Sequence, residues 1–182
     1  METLHPGLSR RAFTRSLVGA AGLLLLAPRR LRALPVPREL SFVNLHTREE
    51  LSLVYRDADG YRRDALAQLD VLLRDFRTEE VHPIDPGLFD LLSAVHARTG
   101  SRAPFQIISG YRSPATNEML RSHSDGVAAG SMHVVGRAID VRLPDVPTAR
   151  LRDAGLALAR GGVGYYRASD FVHLDTGRVR RW

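Results

Sequence analysis

His133 and Asp140 stand in Ser131-Met-His-Val-Val-Gly-Arg-Ala-Ile-Asp140, and His173 follows in Phe171-Val-His-Leu-Asp175. Two imidazoles and one carboxylate suit a catalytic zinc held by three protein ligands, with a fourth position left for water. Such a metal lowers the pKa of its water to about 7 and polarises a carbonyl. The residue types therefore point to metal-assisted hydrolysis. Spacing alone does not make a closely spaced multi-ligand motif. A buried histidine satisfied by a neighbouring carboxylate would leave the same letters.

The flanking residues say how the three could meet. Ala138-Ile-Asp-Val-Arg142 and Phe171-Val-His-Leu-Asp175 both read as strands. Side chains alternate along a strand, so Ile139 and Val141 share one face and Ala138, Asp140 and Arg142 the other. Likewise Val172 and Leu174 oppose Phe171, His173 and Asp175. Two adjacent strands would then present Asp140 and His173 from one sheet face. His133 would reach them from the preceding loop, with Gly136 allowing the chain to turn.

Composition narrows the chemistry. The 182 residues favour one domain. There is no cysteine, which excludes disulfides, thiolate metal sites and a cysteine nucleophile. The net charge is +6, all of the basic residues are Arg, and residues 1–33 hold six of them against one Glu. That segment carries +5, leaving +1 for the other 149 residues. A near-neutral body argues against a nucleic-acid partner.

Residues 1–33 read as an export signal. Ser9-Arg10-Arg11-Ala12-Phe13 precedes the apolar run Ser16–Ala27, a basic region followed by a short hydrophobic one. The paired arginines resemble a twin-arginine signal. The apolar run is too short for an ordinary membrane span. Ala33 is a possible last residue before cleavage, and an uncleaved signal would act as an anchor. Residues 34–39, with Pro35 and Pro37, are expected as a linker.

In the body, Leu40–Leu45 and Leu51–Tyr55 read as a hairpin. Apolar residues at helical spacing predict a helix from about Arg62 to Arg77. A second starts at Asp85-Pro86 and stops at Gly100. Phe105–Ile108 is a strand, Ser113-Pro114 opens a short helix, Ser122–Ser131 is a loop and Thr148–Arg160 is helical. Gly161–Tyr166 is a further strand. The elements lack regular βαβ alternation, which argues for α+β: a small antiparallel sheet carrying the zinc site, flanked by helices.

The pattern Ser131-x-His133-x-x-Gly136-x-Ala138-x-Asp140, followed by His173, resembles the zinc-binding pattern of the D-Ala-D-Ala metallopeptidase family, which shares its fold with lysostaphin-type peptidases and the hedgehog domain. Asn44-Leu-His-Thr47, Ile84–Asp90, Ile108–Ser113, Gly161–Tyr166 and Phe171–Gly177 look closer still to its YcbK (MepK) branch of murein endopeptidases. The similarity runs from about Leu40 to Trp182. The resemblance implies His133, Asp140 and His173 as ligands of Zn2+ and Arg112 as the group that binds the substrate carbonyl and its developing oxyanion. It also implies a general base beside His173. Asp170, three residues before it, is favoured slightly, although strict alternation sets it opposite His173 so that a bend or bulge at the strand entry is needed; Asp175 has the favourable strand face and could instead orient a ligand.

The implied protein is an exported, periplasmic zinc peptidase, monomeric, cutting peptide cross-links between peptidoglycan stems. A carboxypeptidase on the same scaffold, a non-catalytic wall-binding module and, remotely, an amidase are the rivals. His123 is expected as an exposed non-ligand. His46, His82 and His96 are expected in solvated or capping roles. Tyr111, Tyr165 and Tyr166 could line a groove or simply pack, and Trp182 is expected to dock on the body. Ser131 reads as a hydrogen-bonding neighbour, because nothing around it suggests a serine triad.

Overall fold

The computed structural model describes residues 36–123, 128 and 130–182. The expected export signal lies outside them. Among the described residues no helix is long and apolar enough to cross a membrane.

The described residues belong to one compact unit. Its first strand, β1 (Arg38–Asn44), begins two residues inside the stretch expected as linker, and β2 (Glu50–Asp57) returns antiparallel to it. A short β3 (Gly60–Tyr61) follows, then helix α1 (Arg63–Leu72). Helix α2 (Pro86–Thr99) has the ends its sequence predicts. The Asp85 side chain accepts the Gly87 N–H at 2.9 Å, and Gly100 closes the helix in the left-handed region at φ 68°. Strand β4 (Phe105–Ser109), helix α3 (Pro114–His123), strand β5 (Ala138–Arg142) and helix α4 (Thr148–Leu158) come next. Strands β6 (Gly162–Tyr166), β7 (Phe171–Asp175) and β8 (Arg180–Arg181) complete the unit.

All eight strands form one sheet in the order β3-β2-β1-β4-β5-β7-β6-β8. The class is α+β, as read from sequence, but the sheet is neither small nor purely antiparallel. The β1–β4 and β6–β8 pairs are parallel. Alternation explains each strand but not which strands share a sheet. The N-terminal hairpin joins the site-bearing strands only through the long-range β1–β4 pairing.

Ile139, Val141, Val172 and Leu174 are fully buried and belong to a core that also takes Leu69, Leu88, Leu92 and Leu151 from the helices. The other face of β5 and β7 carries the polar residues.

Helix α1 ends at Leu72, short of the expected Arg77, because its last carbonyls serve the site. Leu73 O accepts the Tyr111 N–H at 2.8 Å and Leu72 O accepts Asn44 Nδ2 at 3.2 Å. The chain then turns on Asp75, whose carboxylate takes the N–H groups of Arg77 at 3.0 Å and Ser113 at 2.9 Å.

Candidate metal centre

Asp140 and His173 are direct cross-strand partners in the β5–β7 ladder, so the alternation argument holds at that pair. A β-bulge in β4 supplies the next neighbour. Ile107 pairs with Val141, but Ser109, not Ile108, pairs with Asp140. The extra residue keeps Ile107 on the core side while Ser109 comes beside the carboxylate, a common use of a bulge next to a site. On the other side of β7, Gly164 pairs with His173. Ser109, Asp140, His173 and Gly164 thus form one row across four strands.

His133 arrives from the turn Ser131–Gly136. Val134 N–H donates to Ser131 O at 3.1 Å and Gly136 N–H to His133 O at 3.2 Å. Gly136 has φ 65°, and a Cβ there would run into the carbonyl of Pro83, so only glycine fits. Ser131 Oγ accepts the His133 N–H at 3.4 Å, a hydrogen-bonding role.

Three atoms converge. His133 Nε2 lies 3.2 Å from Asp140 Oδ1 and 3.1 Å from His173 Nδ1, and His173 Nδ1 lies 2.8 Å from Asp140 Oδ1. All three residues are buried. The far side of each ring fixes its tautomer. His133 Nδ1 is 2.7 Å from the carbonyl of Gly110, which can only accept, so that nitrogen carries the proton. His173 Nε2 is 3.1 Å from Asp175 Oδ2, which assigns its proton in the same way. With both imidazoles neutral, only lone pairs face one another at the centre. In that state a cation seated among the three acceptors would satisfy them. Tetrahedral coordination with bonds of about 2.0–2.1 Å would set ligand atoms about 3.3 Å apart, close to what is seen. These residues form a group able to hold a metal ion.

Burial opposes the charge on Asp140, but His133 and His173 outweigh it and hold its pKa well below the usual carboxylate range. Burial pushes His133 down. It also acts on His173, where the hydrogen bonds and charges of Asp140 and Asp175 prevail and raise the pKa.

Arg112 lies alongside. Its Nε donates to Ser109 Oγ at 2.8 Å and its Nη2 to Asp140 Oδ2 at 2.5 Å. The Arg112 N–H is itself bonded to His133 O at 3.3 Å. Gly110 packs on the backbone of Leu73, and Tyr111 OH donates to Glu80 at 2.8 Å, so the loop is held on both sides. Burial and the nearby carboxylates raise the Tyr111 pKa to about 12.

The two expected proton acceptors sit elsewhere. Asp175 is fully buried on the edge of His173 opposite the metal-facing nitrogen. Its carboxylate accepts from Gly162 N–H at 3.0 Å, Gly177 N–H at 2.7 Å and Arg180 Nη2 at 2.7 Å. Burial would raise its pKa, but His173 and these donors push it far down. Asp170 is exposed and turned away, accepting from Thr148 at 2.9 Å and lying 3.6 Å from Arg142. No bulge interrupts the β6–β7 or β5–β7 pairing. Asp170 adopts a left-handed conformation at φ 52°, ahead of the strand. Strict alternation therefore wins, and Asp170 is not brought to the metal-facing side.

The group opens onto a cleft of ≈ 550 Å³ whose walls include Arg112, His123, Tyr166, Phe171, Arg180 and Trp182. Asp140 is the one carboxylate among the described lining residues. His123 is exposed, with Nδ1 2.7 Å from Met119 O, and takes no part in the convergent set. His46 stacks on Phe76, His82 on Tyr111, and His96 Nε2 meets Ala103 O, all away from the cleft. Sequence reasoning missed Asp75, the Ile108 bulge and Arg180. Asp75 and the bulge act on partners more than thirty residues away, and Arg180 acts on Asp175 only through the turn that brings them together.

A sheet that presents one carboxylate and two tautomer-locked imidazoles to an open cleft, with a guanidinium at the side, defines a metallopeptidase-type site. A family model described as peptidoglycan L,D-endopeptidase MepK matches residues 32–182, and the chain belongs to that family. It is 45% identical over 148 residues, 81% of each chain, to peptidoglycan L,D-endopeptidase MepK of Escherichia coli (strain K12). The same figures hold for the protein of that name from Shigella flexneri. It is 45% identical over 149 residues, 81% of this chain and 80% of the relative, to probable peptidoglycan L,D-endopeptidase MepK of Haemophilus influenzae.

Proposed function

We propose that this chain is a zinc-dependent endopeptidase that hydrolyses L,D peptide cross-links between peptidoglycan stems. The observation that carries the reading is the convergence of three lone pairs at 2.8–3.2 Å on the floor of a cleft. The comparisons support the substrate class. His133 Nε2, Asp140 Oδ1 and His173 Nδ1 are the atoms that would hold zinc. Bound there, zinc supplies a water that ionises near neutral pH and a Lewis acid for the amide carbonyl.

The chain's own residues do the rest. Arg112 brings a guanidinium, a planar fork of N–H donors. Ser109 and Asp140 hold it beside the ligand set, where it binds the amide oxygen as negative charge builds on it. Gly110 O and Asp175 hold the two rings with the correct nitrogen forward. Asp175 is thus a positioning residue, and Asp170 a surface residue.

Residues 1–33 are the export segment of this reading, carrying the domain by a twin-arginine route to the periplasm, where the substrate lies. The relatives' names favour an endopeptidase over a carboxypeptidase. Retention of Arg112 beside the ligand set speaks against a purely binding module. A monomer with peptide stems as its partner is sufficient for this chemistry.

The test is metal analysis of the purified protein together with digestion of cross-linked muropeptides and product identification. One equivalent of zinc and conversion of dimers to monomers by cleavage of an L,D bond are expected. Full zinc without cleavage of any peptide bond would refute the enzymatic reading. Less than half an equivalent of zinc after gentle purification would refute the ligand assignment.

A further inference from the structure

The row Ser109, Asp140, His173, Gly164 gives the cleft floor a direction. Arg112 lies over its Ser109 end, and Trp182 over its Gly164 end. A Cβ on Gly164 would overlap the Trp182 ring, so the missing side chain is the seat of the indole. The Trp182 backbone is fastened there by Trp182 N–H to Val163 O at 3.3 Å and Tyr165 N–H to Trp182 O at 3.0 Å. Its Nε1–H donates to Tyr166 OH at 3.0 Å, and its ring centre is 5.1 Å from that of His173. Arg180, bound to Asp175, lies 4.9 Å from the indole centre. Tyr166 in turn stacks on Phe171 at 4.5 Å.

A tryptophan held by this many contacts is nevertheless 50% exposed, and the cleft that it lines is the one above the metal ligands. Its single polar atom is already satisfied, so its free surface offers only apolar contact. Neighbouring strands are about 4.8 Å apart, so Trp182 stands about one strand spacing beyond His173, roughly the reach of one residue of an extended peptide.

We infer that Trp182 is a specificity-determining contact that takes the aliphatic side chain of the stem residue directly beside the cleaved amide, at the end of the row opposite Arg112. This rests on the reading of the chain as a peptidoglycan peptidase. Arg180 is the positioning residue of the pair, since it braces both the indole and the carboxylate behind His173.

Trp182 is the only tryptophan of the chain, so its emission reports this position alone. The zinc-loaded protein, titrated with an uncross-linked stem peptide, should show a saturable blue shift as the indole is covered. In turnover of cross-linked dimers, Trp182→Ala should raise KM about tenfold with zinc content unchanged, and Trp182→Phe should restore most of it. Replacing by glycine the residue that gives the cleaved amide its carbonyl, which leaves the cross-link in place, should cost the native enzyme a similar factor and cost Trp182→Ala little. Equal sensitivity of both enzymes to that replacement would overturn the inference. Should Trp182→Ala fail to fold, the titration of the native protein decides, and an unchanged emission at saturating stem peptide overturns it. A native protein that cuts dimers without any emission change keeps the hydrolase reading and loses this one. A native protein that leaves dimers uncut but shifts its emission overturns the hydrolase reading and with it the specificity role of Trp182, leaving only stem contact at the indole.

Discussion

Asp175→Asn is the most demanding perturbation, because it changes one buried atom that touches no metal. Oδ1 of Asp175 accepts from Gly162 N–H, Gly177 N–H and Arg180 Nη1, while Oδ2 accepts from His173 Nε2–H and Arg180 Nη2. An amide has one acceptor oxygen, and the three donors at Oδ1 claim it. The NH2 group must then face His173 and Arg180. Only His173 can adapt, by moving its proton from Nε2 to Nδ1, and that proton then points at Asp140 Oδ1, 2.8 Å away, where the metal would sit. Losing a carboxylate that orients a ligand costs about 10–100-fold in metal affinity. The stranded Arg180 donor costs a further ~1–3 kcal/mol of stability. Zinc affinity is measured by competition with a chelator, and the His173 tautomer by nitrogen chemical shifts of the imidazole ring. The expected result is weakened zinc binding with an inverted tautomer. Native affinity with Nε2 still protonated would refute the account of Asp175 as the group that aims His173.

Asp170→Asn should leave kcat/KM within about twofold of the native value, since the carboxylate takes part only in exposed contacts with Thr148 and Arg142. A fall of about a hundredfold would return it to the proton-transfer step. Arg112→Lys keeps the charge but not the fork shared by Ser109 and Asp140, so kcat should drop about 10²–10³-fold while zinc is retained at saturating metal. Asp90 gathers Arg38, Arg56, Tyr55 and Tyr61, and although burial opposes it, these partners lower its pKa. A folded pKa below the unfolded value of about 3.9 means stabilisation that is complete above that value and is lost as pH falls through the folded one. Asp90→Asn should therefore destabilise at pH 7 by about 1–3 kcal/mol, and its denaturation midpoint should approach the native one as the pH falls below the unfolded carboxylate value.

That Asp140 and His173 share a face was legible because the information is local. Period-two alternation assigned Asp140 and His173 to one face, and the structure pairs them across β5 and β7. Helix α2 was equally readable, since Asp85, Pro86 and Gly100 are end signals within the segment itself. Alternation also placed Asp170 opposite His173, and the unbroken ladder kept it there. The preference for Asp170 as base needed a bulge, and the bulge occurs instead in β4, where it serves Ser109 and Arg112.

Tertiary structure decided what depends on groups remote in sequence. Which nitrogen His133 offers is set by Gly110 O, because a ring's free lone pair is fixed only when the other nitrogen finds an acceptor, whereas His173 finds its acceptor locally in Asp175. The end of α1 is set by Tyr111 and Asn44, which claim the carbonyls that a longer helix would use. The size of the sheet is set by the β1–β4 pairing, between segments some sixty residues apart. The amino-acid sequence alone therefore determined which donor atoms this protein has and which strand face carries them. Only the folded chain determined which lone pairs point inward, because each ring's outer nitrogen must be brought onto its acceptor, Gly110 O for His133 and Asp175 for His173.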